Sequence, residues 1–350
     1  MRTKILLLAI VWPLLAIAQI PAYYGSIDFN TTPITLKNQL AYLVADTHIF
    51  NLPYTAGTLD TWDVVKQTDE YENDTSKVLL FYGYNDFDGN SQTDYTRSKT
   101  LTCHTTSCSG LWNREHVYAR SLATPSLTTE FPGSGTDVHN LRACDGDMNE
   151  TRSNRLFEDS SGNAHITANW QWYPGDEWKG DVARIIMYMY LRYPSQCSAN
   201  DTAQSSNTYH ADMPDIFLEW NAEDPVTSYE EQRNTVLEGI QGNRNPFIDN
   251  PYLATYIWGG PEAEDTWGTL ETTDYELYKI KVYPTIVKDI LYVSDTSSNK
   301  FNYAIYNING QEVRINLEDN KIDVSYLANG LYILRVYKDD WYYNFKFIKK

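Results

Sequence analysis

The residue types best suited to chemistry are concentrated in one stretch of the chain. Arg114-Glu115-His116 comes first, followed by Asp137-Val138-His139-Asn140-Leu141-Arg142 and then by Asn149-Glu150-Thr151-Arg152-Ser153-Asn154. Histidine, carboxylate, amide and guanidinium groups are what hydrolysis of a phosphodiester requires. The attacking water must lose a proton, a task suited to an imidazole that titrates near neutrality. The charge gathering on phosphorus and on the leaving oxygen calls for a hard divalent cation held by carboxylate and amide oxygens. Glu115 and His116 are neighbours, and neighbouring side chains of a strand point to opposite faces. Both reach one site only where the strand ends or bends, so His116 is expected at a strand end with a loop after it.

These residues need elements to position them. A second strand is expected, centred on Val138 to Leu141, and Asp145 to Phe157 reads as a helix, on which Asn149, Arg152 and Ser153 share a face. An amide ligand and a phosphate clamp would then stand side by side. Upstream, Thr32-Pro33 with Leu36, Leu40, Leu43 and Val44 has the spacing of a capped helix. Thr58 to Tyr71 predicts a second helix and Lys77 to Tyr82 a short buried strand, with loop from Asn85 to Ser109. Asp181 to Tyr193 is apolar nearly all round, as in a core helix, and Phe217 to Tyr229 and Glu230 to Gly242 continue the helical material. After Gly259 to Thr273, a Gly/Pro/acid-rich linker, short β-rich runs separated by Asn309-Gly310 and Asn329-Gly330 predict a small antiparallel sandwich.

Composition bounds the rest. With 350 residues, 42% hydrophobic, 28 Tyr and 10 Trp, the chain has material for two cores, and disorder is not the default reading. Arg2, Lys4, the apolar run Ile5 to Ile17 and Ala16-Ile17-Ala18 read as a cleaved secretory signal over residues 1–18, too short and Pro-interrupted for a membrane anchor. In an oxidising compartment the four cysteines suggest disulfides. The preferred pairing is Cys103 with Cys108 and Cys144 with Cys197; a zinc site from Cys103, His104 and Cys108 is the weaker alternative. The net charge of −18 excludes global electrostatic attraction to nucleic acid. From Thr272 onward the 11 basic and 10 acidic residues nearly balance, so the acid excess lies upstream. A nucleic-acid groove must therefore be locally basic, or a metal ion must supply the charge.

At these residues the sequence resembles the endonuclease I family of secreted and periplasmic bacterial nucleases, built on a ββα-metal (His-Me) finger. The matching motifs are REH at Arg114 to His116, HNLR at His139 to Arg142 and N-x-x-RSN at Asn149 to Asn154. The likeness extends to KGDVAR at Lys179 to Arg184 and GNRNPFID at Gly242 to Asp249. The resemblance implies that His116 is the general base and that Glu115 and Asn149 hold a hydrated Mg²⁺, with Ca²⁺ or Mn²⁺ as alternative occupants. It also implies a phosphate-contacting arginine, for which Arg120, Arg142 and Arg152 are candidates; helix geometry favours Arg152. Arg114, His139 and Asn140 are further candidates for contacting phosphate or orienting the site. Cys144 departs from the family pattern and suggests a disulfide anchor for the finger. The C-terminal part resembles the type IX secretion sorting domain of Bacteroidetes, through Val282-Tyr283-Pro284, the stretch Tyr306 to Gln311, the stretch Ile322 to Tyr332 and the basic end. That implies export by the type IX machinery, without a part in catalysis.

The expected fold class is thus α+β. A mainly helical nuclease domain around the finger (19–258) leads through a linker (259–273) to an all-β sandwich sorting domain (274–350). The expected protein is secreted or surface-attached and monomeric, and hydrolyses DNA and RNA with little sequence specificity. A secreted ribonuclease with RNA preference and a non-catalytic surface adhesin or binding protein are the alternatives. His48, His104, His165 and His210 read as structural, and Asp181, Arg184 and Arg244 as ties between helices and loops.

Overall fold

The computed structural model describes residues 20–105, 107–268, 281–294, 302–307, 310–313, 316–318, 321–338 and 341–350. The signal peptide expected over 1–18 lies outside them, as do residues 269–273 of the expected linker. The chain divides into two compact units, Met1–Thr269 and Leu270–Lys350.

The first unit mixes helices with short strands. It opens with helix α1 (Pro33–Thr47), capped by Thr32 and burying Leu36, Leu40 and Val44 at helical spacing. Helix α2 (Thr61–Thr68) is shorter than its apolar pattern suggested. Asp60 starts it with a capping box, which leaves Leu59 outside and exposed. Strands β1 (Glu70–Tyr71), β2 (Asp74–Leu79) and β3 (Thr96–Ser98) form an antiparallel sheet. A separate antiparallel pair joins β4 (Trp112–His116) to β5 (Leu141–Asp145), with Glu115 opposite Arg142 and His116 opposite Leu141. Helix α3 (Gly146–Arg152) follows directly, and then the hairpin β6 (His165–Ile166) and β7 (Trp172–Tyr173). Helix α4 (Lys179–Arg192) is buried along nearly its whole length, as its composition required. Helices α5 (Asp215–Glu223), α6 (Ser228–Gln241), α7 (Pro246–Asp249) and α8 (Tyr252–Trp258) complete the unit. One apolar cluster gathers Trp62 and Val65 of α2, Val78 of β2, Trp112 of β4, Leu141 and Ala143 of β5 and Leu237 of α6. The catalytic-type strands therefore rest on the central core.

Several expectations are corrected. The second strand lies at Leu141–Asp145 rather than being centred on Val138 to Leu141, because Asp137 accepts a hydrogen bond from the His139 amide and winds Val138–Asn140 into a 3-10 turn. The helix expected to reach Phe157 stops at Arg152, where Ser153 takes φ 55°. Residues 259–268 do not act as a linker. Thr266 Oγ1 donates to Asp249 O at 2.6 Å, and Trp267 packs on Tyr24 with ring centroids 5.0 Å apart. Cys103 and Cys108 form a disulfide, which removes the zinc alternative, but Cys144 and Cys197 are buried free thiols. Cys144 Sγ lies on Phe81 O at 3.3 Å within the β5 core, whereas Cys197 follows α4 near Asp137.

The second unit consists of β8 (Lys281–Tyr283), β9 (Ile286–Val287), β10 (Ile290–Ser294), β11 (Asn302–Asn307), β12 (Glu312–Val313), β13 (Asn316–Glu318), β14 (Lys321–Asp323), β15 (Gly330–Lys338) and β16 (Trp341–Lys349). They pair as two sheets, β13-β14-β10-β8 and β12-β11-β15-β16-β9. Leu291, Val293 and Ile322 of one sheet share a core with Ile305, Leu334, Val336 and Phe347 of the other, which makes the unit a β-sandwich.

Thiol titration of the unfolded, unreduced chain should count two free thiols, and the native chain should react at neither. A count of zero would restore the Cys144–Cys197 bond; a count of four would remove the Cys103–Cys108 bond.

Candidate active site

The pleat of β4 sorts its side chains. Asn113 and Glu115 face α3, whereas Trp112, Arg114 and His116 face the opposite side. On the α3 face, Asn149 Nδ2 donates to Asn113 Oδ1 at 2.7 Å, a bond that does not use the Asn149 side-chain oxygen. Asp145 fixes the start of α3 by accepting from the amides of Asp147 and Met148 at 2.8 and 2.9 Å. Glu115 is 2% exposed, with Arg152 Nε 3.4 Å from Oε1 and the Tyr82 hydroxyl donating to the same oxygen at 3.2 Å. Burial raises its carboxyl to about 7 against the pull of Arg152. One guanidinium does not offset its burial.

On the other face, His116 Nε2 meets the carbonyl of Gly135 at 2.8 Å. A carbonyl only accepts, so Nε2 carries the proton and Nδ1 keeps a lone pair. Tyr54 stacks on the imidazole, with centroids 5.7 Å apart. Burial lowers His116 to about 4, and the cations of Arg120, Arg114 and Arg152 push the same way. The ring is neutral at neutral pH, with Nδ1 as its proton-accepting atom. Because β4 ends at His116, both faces open into one cleft of about 550 Å³ lined by Arg114, Glu115, His116, Arg120, Asn149 and Arg152 among others. The cleft is locally cationic in a chain of net charge −18. Among the described residues no group of three or more His, Cys, Asp or Glu could hold a metal. Any ion here would have one carboxylate and one amide as protein ligands.

The arginine candidates separate by what they already hold. Arg142 is fully buried, pairing with Asp181 at 2.8 Å and donating to the Tyr229 hydroxyl at 2.8 Å; it does not line the cleft. Arg152 lines the cleft but is 1% exposed, donating to Val117 O at 2.7 Å and Ser153 O at 2.9 Å beside its contact with Glu115. Arg114 is sandwiched between Tyr54 and Trp62 and donates to Thr61 Oγ1 at 2.6 Å. Arg120 alone of the four is exposed, with Nε donating to Leu127 O at 2.8 Å. His139 and Asn140 lie outside the cleft: His139 packs on Tyr188, and Asn140 ties the turn before β5 to Tyr118 through both amide atoms.

With this geometry in view, comparison with known proteins is decisive. The family model of Endonuclease I matches residues 32–252, and that of the secretion system C-terminal sorting domain matches residues 281–350. The chain belongs to the endonuclease I family. It is similar to an extracellular ribonuclease of Bacillus subtilis (strain 168), 35% identical over 265 residues that cover 72% of this chain and 83% of the relative. An extracellular ribonuclease of Bacillus amyloliquefaciens is 36% identical over 209 residues, covering 56% of this chain and 66% of that protein. An extracellular deoxyribonuclease of Aeromonas hydrophila is 28% identical over 132 residues, covering 35% and 53%. The chain is thus a nuclease, and its type IX sorting domain marks it for secretion.

Sequence reasoning missed three residues of this endonuclease I site. Tyr54 and Tyr82 carried no signal in a chain with 28 tyrosines, although Tyr82 takes φ 70° to reach Glu115. Gly135 is the third. A Cβ built there would stand 1.9 Å from Thr128 O, so only glycine allows the loop to bring its carbonyl to His116. Gly135→Ala should therefore lower kcat about tenfold to a hundredfold by misplacing the imidazole, with KM little changed. Steady-state kinetics that find kcat unchanged would show that Gly135 does not position the ring.

Proposed function

We propose that the chain is a metal-dependent endonuclease that hydrolyses both DNA and RNA, with β4, β5 and α3 acting as a ββα-metal finger. The observation that carries this reading is the pairing of a neutral His116, its Nδ1 open, with an under-compensated buried carboxylate at one strand end. The donor set fits a divalent ion: Glu115 needs positive charge, Asn149 offers its amide oxygen, and so few protein ligands suit Mg²⁺, which keeps several waters. Ca²⁺ or Mn²⁺ are alternative occupants. When bound, the ion would neutralise charge developing on the phosphate and the leaving oxygen.

The chain's own residues do the rest. His116 Nδ1 takes the proton from the attacking water, while Gly135 O holds the ring's tautomer and Tyr54 its plane. Arg152 keeps Glu115 in place and ties α3 to the end of β4, which makes it a positioning residue. Arg120 is the guanidinium assigned to the scissile phosphate, since it is exposed in the cleft. None of these contacts reads a 2′-hydroxyl, and the relatives include both ribonucleases and deoxyribonucleases by name.

Digestion of plasmid DNA and total RNA by the full chain, with Mg²⁺ and with EDTA, tests the reading. Both substrates should be cut with metal and neither with EDTA, and Arg120→Ala should lower kcat/KM about tenfold to a hundredfold without changing thermal unfolding. Cleavage that persists in EDTA, or is confined to RNA, would reject it.

A further inference from the structure

We propose that Trp170 and Arg155 form a subsite for a nucleotide flanking the scissile phosphate, the indole stacking on its base and the guanidinium facing its phosphate; this rests on the nuclease reading of the cleft. Trp170 is 74% exposed and takes φ 63°, a left-handed conformation that a bulky side chain rarely adopts. The turn that imposes it is well tied. The Trp170 amide donates to Thr167 O at 3.0 Å, the Gln171 amide to Thr167 Oγ1 at 3.2 Å and the Thr167 amide to Gln171 O at 3.0 Å. The indole is held out in water by an ordered tip.

The hairpin is tied to the segment that leaves the cleft. The Trp172 amide donates to Leu156 O at 2.8 Å and the Leu156 amide to Gln171 Oε1 at 3.0 Å, while the bridge between Phe157 and Trp172 is parallel. Gln171 and Leu156 are thus in direct contact; Trp170 and Arg155 are the residues that precede them, and Arg155 follows Asn154, which lines the cleft. The base of the hairpin is fixed to the site wall, since Trp172 packs on Tyr82 at 5.3 Å and Tyr82 donates to Glu115. Arg155 Nη1 donates to the carbonyl oxygens of Thr151 and Arg152, which holds this cation over the end of α3.

Stacking suits this enzyme physically. Every base has a π face, so an indole platform binds without sequence preference. A chain of net charge −18 also needs a grip that does not depend on long-range attraction. A stacked base must leave its duplex neighbours, so single strands should occupy the subsite more readily than duplexes.

The test compares full-length wild type, Trp170→Ala and Trp170→Phe on a single-stranded oligonucleotide in Mg²⁺. A 2-aminopurine oligonucleotide with each tryptophan form in a His116→Ala background reports stacking by fluorescence. Trp170→Ala should raise KM about fivefold or more, the lower end of what one stacked base contributes, keep kcat, and lose the 2-aminopurine quench. Trp170→Phe should restore both. A KM within twofold of wild type, a loss confined to kcat, or an undiminished quench in the alanine variant would overturn the subsite. A wild type that cuts nothing would overturn the nuclease reading as well, and is seen before any variant is compared.

Discussion

The pleat of one short strand governs the site. Glu115 and His116 are adjacent and so leave β4 on opposite faces, and a cleft that uses both can exist only where β4 stops. This separation has an electrostatic consequence. On a shared face the carboxylate would pair with the imidazole and hold it protonated. On opposite faces, His116 instead meets a backbone carbonyl, and burial, helped by three nearby guanidinium groups, keeps it neutral, while Glu115 remains a buried carboxylate that one guanidinium does not offset. The two groups stay independent until a substrate joins them. The surrounding elements follow from this: α3 supports the carboxylate face, and Tyr54 with the loop through Gly135 supports the imidazole face.

Charge is distributed with the same economy. Most buried arginines are saturated by acids. Arg142 pairs with Asp181, Arg184 Nε meets Glu230 at 2.7 Å, and Arg233 joins Asp69 to the carbonyl oxygens of Val138 and Leu141. Such pairs lock β5 against α4 and α6, and removing one partner would strand a buried charge. The acid excess of the chain therefore does not reach the cleft, whose lining holds three arginines against Glu115 alone.

Much of this was legible in the sequence, and the limits have physical causes. The end of β4 at His116 followed from the pleat, and α4 from its all-round apolarity. The place of β5 did not, because the turn at Val138–Asn140 depends on Asp137, whose carboxylate also accepts from Tyr188, Tyr193 and Gln241, distant in sequence. Helical spacing put Arg152 on the right face but could not tell that Glu115, Val117 and Ser153 already engage it, nor that Arg120 stays exposed. An even cysteine count misled for Cys144 and Cys197, since a free thiol packs in a core as a small hydrophobe and leaves no trace in the count.

The measurement that tests the account most directly is cleavage of single-stranded DNA in Mg²⁺ by the full chain carrying His116→Ala, beside the wild type. Loss of the general base should lower kcat by about 10²–10⁴-fold in a variant whose thermal unfolding shows that it is folded at the assay temperature. Activity within a few-fold of wild type in a folded variant would contradict the assignment of His116 and with it the strand-end site.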